Sequence, residues 1–325
     1  MLTDMALAEL RQYAPDVAEP ADFDSFWSGQ LDAARAASWG PEFTPASTAI
    51  RYADVFDVTF AGFGGDPVKG WLLVPHEQAP RGAAVVEFIG YGGGRGDPLD
   101  WLPWSSAGYI HLVMDTRGQG GGWLSADTPD PSDSGAPSTP GFMTRGIADP
   151  RTYYYTRLFI DAACAVDAAG RHPATAGLPL VTTGGSQGGG LAIAAAHLAP
   201  GVRAVMPDVP FLAHPRRGTE VTNSRPYVEL SEYCAVHSDQ VEAVFRTLSY
   251  VDVVNHAKRA QAPALFSAGL ADDITPPSTI FAAFNHYAGP KNIAVYEFNG
   301  HEGGGTLHLR AKLDFLAAAL SGDIR

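Results

Sequence analysis

The chain of 325 residues has only two cysteines, Cys164 and Cys234, too few for a disulfide framework or a cysteine-based zinc cluster. Basic residues are also scarce. Lys and Arg number 22 against 35 Asp and Glu, a formal charge of −13 with no basic run. Such a surface repels phosphate backbones and anionic lipid, so neither nucleic acid nor a membrane is an expected partner. No uncharged apolar stretch reaches the roughly 18 residues that a spanning helix needs. Between Met1 and Arg11 the chain carries Asp4 and Glu9, where a secretory signal needs a basic start and an apolar core. The expectation is a cytoplasmic protein. No glycine-rich stretch fits G-x-G-x-x-G after a strand or G-x-x-x-x-G-K-[ST], so dinucleotide and P-loop readings lack support. His301-Glu302 begins like H-E-x-x-H, but Gly305 stands where the second zinc histidine belongs. No metal or organic cofactor is expected, and no repeat of about 20–50 residues suggests a propeller or solenoid.

What is present suits a packed α/β core, with 46% hydrophobic and 18% charged residues. Residues 51–60 and 68–74 alternate around Gly62-Phe63-Gly64-Gly65-Asp66-Pro67, a hairpin signal. Apolar runs follow at 83–89, 109–114, 178–183, 202–206, 264–268 and 293–298. Helical periodicity falls at 153–169, 190–198, 278–287 and 307–320. Two hairpin strands and six more predict an eight-stranded, mostly parallel sheet with helices on both faces. Residues 1–50 read as an N-terminal helical arm, with Thr3 or Asp4 capping a helix through Arg11 and another helix starting near Pro20. Residues 51–325 read as one catalytic domain. Two insertions break the rhythm: 118–147 is expected as a long surface excursion and 211–254 as an insertion over the active face.

The most informative stretch runs from Leu178 to Leu198. A buried strand leads into Gly184-Gly185-Ser186-Gln187-Gly188, and an alanine-rich helix leads out. A G-x-S-x-G turn between strand and helix exposes the serine hydroxyl above the sheet edge. The next amide, that of Gln187, sits at the helix N-terminus, where it can stabilise an oxyanion. A serine needs a base, and the base needs an orienting carboxylate. Of the histidines beyond Ser186, only His301 follows a strand-like run directly, through the turn Asn299-Gly300. His197 falls in the helix after the serine and His308 in the last helix, while His214, His237, His256 and His286 suit structural roles. Asp272 and Asp273 both lie just past a strand, and spacing does not separate them. Glu302 reads as a local structural partner. A second oxyanion donor comes from the loop after a preceding strand, here Ile89-Gly90-Tyr91-Gly92, with the Tyr91 amide as the candidate.

With those residues in place, the chain resembles the acetyl xylan esterase/cephalosporin C deacetylase family, carbohydrate esterase family 7. Arg117-Gly118-Gln119, Gly184-Gly185-Ser186-Gln187-Gly188 and His301-Glu302 carry the likeness, and Pro276-Pro277-Ser278-Thr279 extends it. The resemblance implies an α/β-hydrolase fold, Ser186 as nucleophile and His301 as base. It selects Asp272 over Asp273, and it implies oxyanion amides at Tyr91 and Gln187. Arg117 and Gln119 are implied to be structural, with Arg117 holding the turn behind the nucleophile. Family members are typically intracellular, form ring-like hexamers and deacetylate small acetylated sugars and cephalosporin C. The family commonly has His-Gly-Tyr where this chain has Ile89-Gly90-Tyr91, which keeps the amides and changes the packing behind them.

The expected activity is a serine carboxylesterase acting on a small acetylated substrate, with a homohexamer as the expected assembly. A serine esterase of different acyl or alcohol preference is the nearest rival. A catalytically silent α/β-hydrolase fold that binds or assembles is the rival from another class.

Overall fold

Apolar runs become strands in the computed structural model, which describes residues 4–77, 79, 82–131 and 141–322. The first half contains α1 (Leu7–Leu10), α2 (Phe23–Ala36), β1 (Glu42–Pro45), β2 (Ala53–Ala61), β3 (Pro67–Pro75), β4 (Ala84–Phe88), α3 (Leu102–Ser106) and β5 (Ile110–Met114). There follow α4 (Tyr154–Ala169), β6 (Leu180–Gly185), α5 (Gln187–Leu198), β7 (Val202–Asp208), α6 (Pro215–Val221), α7 (Tyr227–Val236), α8 (Val241–Val251) and α9 (Val253–Ala257). The chain closes with β8 (Ala264–Gly269), α10 (Pro277–His286), β9 (Lys291–Tyr296) and α11 (Gly305–Ser321).

Among the described residues the sheet has nine strands, in the order β1-β2-β3-β5-β4-β6-β7-β8-β9. The first three pairings, through β3 with β5, are antiparallel, and those from β5 to β9 are parallel. The expected count of eight is therefore one short. The extra strand is β1, four residues ending in Pro45 and mostly exposed, whose pattern is too brief for alternation to show. Helices cover both faces. Leu158, Ile193 and Phe211 join the main core on one side, while Trp104, Phe315 and Leu316 pack on Val85, Val181 and Met206 on the other.

The described residues of the first fifty are tied to this core. Phe23, Trp27, Leu31 and Ala34 recur at helical spacing and form the buried stripe of α2. Trp27 stacks on Phe159 at 5.8 Å and donates its Nε1–H to the Tyr250 carbonyl at 2.9 Å. Asp4 does not cap α1, whose N-cap is Ala6. Its carboxylate instead accepts the Ser278 amide of α10 at 2.7 Å and pairs with Arg217 at 2.9 Å. Thr3 lies outside the described residues, as does 132–140 within the first expected insertion. The described parts of that insertion, 118–131 and 141–147, form neither helix nor strand, whereas 211–254 folds into α6, α7, α8 and the start of α9. No helix among the described residues is long and apolar enough to cross a membrane.

Under α2 two imidazoles meet. His197 Nδ1 and His256 Nδ1 lie 3.0 Å apart, with Phe23, Trp27 and Phe159 around His256. Burial lowers the His197 pKa to about 4, with Arg259 adding to the effect, and burial holds His256 well below its ordinary value. The unfolded chain takes up these protons from about pH 6.5 downward, while the folded chain resists. Stability present above about pH 6.5 is thus lost as the pH falls towards about 4. The urea midpoint should drop across that window, less steeply in His197→Gln. A midpoint that stays level there contradicts the pairing of two neutral histidines.

Candidate active site

The turn between β6 and α5 holds Ser186 at φ 56° and ψ −119°, a strained conformation for a side-chain-bearing residue. Surrounding hydrogen bonds enforce it. The Ser186 amide donates to the Asp208 carbonyl at 2.9 Å, and its own carbonyl accepts the Gly190 and Phe211 amides at 3.1 and 2.9 Å. Gly188 has to be glycine, because a Cβ there would collide with the Phe88 carbonyl at the end of β4. Ser186 lines a cavity of about 440 Å³ together with Tyr91, Trp123, Ile274 and His301. Ser186 Oγ takes no protein hydrogen bond among the described residues. Contacts of a hydroxyl to its base commonly tighten only in the reacting complex.

His301 follows β9 through Asn299 and Gly300, and its Nδ1 lies 2.9 Å from Asp272 Oδ2. Asp272 is fully buried, and its Oδ1 accepts the Ile274 and Thr275 amides, both at 2.9 Å. The Thr275 hydroxyl donates to Oδ2 at 2.8 Å. A carboxylate in that position only accepts, so it places the imidazole proton on Nδ1 and leaves Nε2 as a base. Asp273 turns the other way. Its carbonyl accepts from Thr222 Oγ1 and its carboxylate from Ser224 Oγ at 3.3 Å. Glu302 accepts from Asn299 Nδ2 at 2.7 Å and the Gly300 amide at 3.0 Å, which fixes the turn that carries His301.

Across the cavity, no protein oxygen among the described residues accepts the amides of Tyr91 or Gln187. The Gln187 side chain, fully buried, joins the two segments that carry these amides. Its Nε2 donates to the Ile89 carbonyl at 3.1 Å, and its Oε1 accepts from Gln119 Nε2 at 2.8 Å and the Tyr155 hydroxyl at 3.1 Å. Gln119 Oε1 in turn accepts the Gly92 amide at 2.6 Å. The glutamine of the Arg-Gly-Gln motif thus braces the turn and the loop. The guanidinium of the same motif bonds elsewhere. Arg117 points its guanidinium at Asp161 on α4, at 2.5 and 2.8 Å, and at Asp66 at 3.0 Å. Only its carbonyl faces the site, where it accepts the Tyr154 hydroxyl at 2.7 Å.

Two supports of the loop were not foreseen from the sequence. The Tyr91 hydroxyl donates to the buried Glu229 carboxylate, with oxygens at 2.8 and 3.0 Å, and accepts the Phe142 amide at 2.8 Å. Burial and then the Glu229 charge raise the Tyr91 pKa, so the phenol remains a donor. Gly141 leaves room for that carboxylate, which a Cβ would strike. Trp123, largely exposed, donates its Nε1–H to the Tyr91 carbonyl at 3.0 Å and lies across the loop glycines. Glu229 is 138 residues from Tyr91, and no local pattern joins them. Among the described residues, no group of three or more His, Cys, Asp or Glu side chains is arranged to hold a metal ion.

The acetyl xylan esterase (AXE1) family model matches residues 1–319. An acetyl xylan esterase from Paenibacillus sp. R4 is similar with a TM-score of 0.90 at 37% identity, over 97% of this chain and 99% of that one. Acetyl xylan esterase 1 from Thermoanaerobacterium sp. JW/SL YS485 gives 0.86 at 32% identity, over 96% and 99%. Acetyl esterase Axe7A of Xylanibacter ruminicola is 25% identical over 307 residues, 88% of this chain, and the chain spans only 64% of the length of that curated relative. With a match along nearly its whole length and a mixed, mostly parallel sheet flanked by helices, the chain has the α/β-hydrolase fold and belongs to the acetyl xylan esterase (AXE1) family.

Proposed function

We propose that the protein is a serine esterase that removes acetyl groups from small O-acetylated carbohydrates such as xylooligosaccharides, and from related acetyl esters such as cephalosporin C. One observation carries the reading. The Asp272–His301 pair, 2.9 Å apart, opens on the same cavity as the strained Ser186. Ser186 Oγ attacks the acetyl carbonyl while His301 Nε2 takes its proton, and Asp272 stabilises the imidazolium. The Tyr91 and Gln187 amides hold the tetrahedral oxyanion. His301 then protonates the departing alcohol, and the acetyl group stays on Ser186. Water, deprotonated by the same histidine, attacks the acyl-enzyme and releases acetate. A cavity of about 440 Å³ lies towards the small end of ligand sites and suits a short ester better than a polymer chain. The family resemblance further supports a cytoplasmic homohexamer.

Acetate release from peracetylated xylooligosaccharides, set beside a butyryl model ester, tests this directly. The wild type should favour the acetyl substrate, and Ser186→Ala should lose at least about 10³-fold in kcat. Activity confined to the butyryl ester defeats the substrate assignment, and activity that persists in Ser186→Ala defeats the nucleophile. A second expectation concerns the glutamine brace. Gln119→Leu removes the acceptor of the Gly92 amide and should lower kcat by up to about 10²-fold, with KM little changed. A loss located wholly in KM, or none, means that Gln119 does not position the oxyanion loop.

A further inference from the structure

One wall of the active-site cavity carries a carboxylate that the acyl-transfer steps do not use. Glu87 is the penultimate residue of β4, and strand alternation puts it on the face opposite Phe88 and the nucleophile helix. Its Oε2 lies 2.8 Å from His111 Nε2 on β5, and His111 Nδ1 lies 3.1 Å from the Trp101 carbonyl. His111 is fully buried between these two acceptors, whereas the Glu87 side chain retains 20% exposure and lines the cavity. Glu87 Oε1 takes no hydrogen bond among the described residues. One oxygen thus lies at ion-pair distance from a buried imidazole, and the other is left without a protein donor on a side chain that lines the cavity.

The neighbours suit a polyhydroxy partner. Trp101 and Trp123 line the same cavity and offer aromatic surface for the C–H faces of a ring. Asp208 adds a second carboxylate, anchored by Lys312 at 2.5 Å and His308 at 3.0 Å. Ionised carboxylates only accept, so the groups they reward are donors. A leaving group that brings its own carboxylate meets repulsion there.

We propose that Glu87, positioned by His111, accepts a hydrogen bond from a free hydroxyl on the alcohol side of the ester. The enzyme then selects partially deacetylated neutral sugars over esters whose leaving group has no hydroxyl. This rests on the reading of Ser186 as the nucleophile of an acetyl-sugar esterase.

The test compares kcat/KM for a mono-O-acetylated methyl xyloside with that for phenyl acetate, whose leaving group has no further hydroxyl. Glu87→Met removes the acceptor, and the xyloside-to-phenyl ratio should fall about tenfold, mostly through KM. Glu87→Gln keeps the shape and one neutral oxygen, so its ratio should fall less. If Glu87→Met does not fold, that smaller fall in Glu87→Gln carries the test, with the thermal midpoint of each variant as control. A ratio independent of residue 87 in an active enzyme overturns this inference and leaves the esterase reading standing. Wild type that releases acetate from neither ester overturns both. Faster turnover of an acetylated aminosugar than of the xyloside, abolished in Glu87→Gln, overturns the hydroxyl in favour of an ammonium partner.

Discussion

Two buried carboxamides, those of Gln119 and Gln187, tie a strained turn to a glycine-rich loop. Gln187 belongs to the turn yet spends its donor on the Ile89 carbonyl of the loop. Gln119 comes from a third segment and takes the Gly92 amide of that loop while donating to Gln187. Each group left unmet in such burial costs about 1–3 kcal/mol, so the three segments have one favourable arrangement. A carboxamide suits this position because it both donates and accepts in a plane. An acid or a lysine would do only one of these.

Behind the carboxamides stands a fully buried ion pair. Arg117 meets Asp161 of α4 through two parallel hydrogen bonds, and Asp161 also accepts the Phe63 amide from the β2–β3 turn at 2.8 Å. Two separate parts of the chain therefore converge on a carboxylate carried by a third. Buried pairs of this kind add little net stability against an apolar alternative, but breaking one is expensive. Their value here is placement. The backbone leaving Arg117 is fixed, and Gln119 two residues on emerges pointing at Gln187 of the Ser186 turn.

How much of this was legible in the sequence depended on whether a residue's role is decided by its neighbours. The Ser186 turn was visible because strand, glycines and helix are contiguous, and His301 because a strand and a tight turn precede it. The choice between Asp272 and Asp273 could not be read from spacing. It is made by contacts with His301 on one side and with Thr222 and Ser224 on the other. The same limit hid the Tyr91–Glu229 contact, and it hid Asp4 as the partner of the α10 amide, 274 residues distant. It also hid the hydrogen-bonded carboxylate partners of Arg117, which lie 44 and 51 residues away. Strand β1 escaped for another reason, since four mostly exposed residues at a sheet edge carry too little hydrophobic pattern to announce themselves.

Strand β4 ties the parts of the site together. Three successive residues at and just past its C-terminal end act in three directions. The Phe88 carbonyl sets how closely α5 can approach and so demands glycine at position 188. The Ile89 carbonyl receives Gln187 and so fixes the glycine-rich loop. Glu87 turns its side chain to the cavity wall, held by His111 from β5. Strand geometry makes these placements rigid relative to one another, because adjacent residues are separated by a fixed rise of about 3.3 Å and point to opposite faces. A displacement of β4 would therefore move α5, the loop that carries the Tyr91 amide and the cavity carboxylate together. With the proposed attacking group, Ser186, at the end of β6 and the proposed alcohol-reading group, Glu87, on the neighbouring parallel strand β4, an ester that seats its hydroxyl against Glu87 has its acetyl carbonyl positioned by the same sheet. Binding on the alcohol side then becomes orientation on the acyl side.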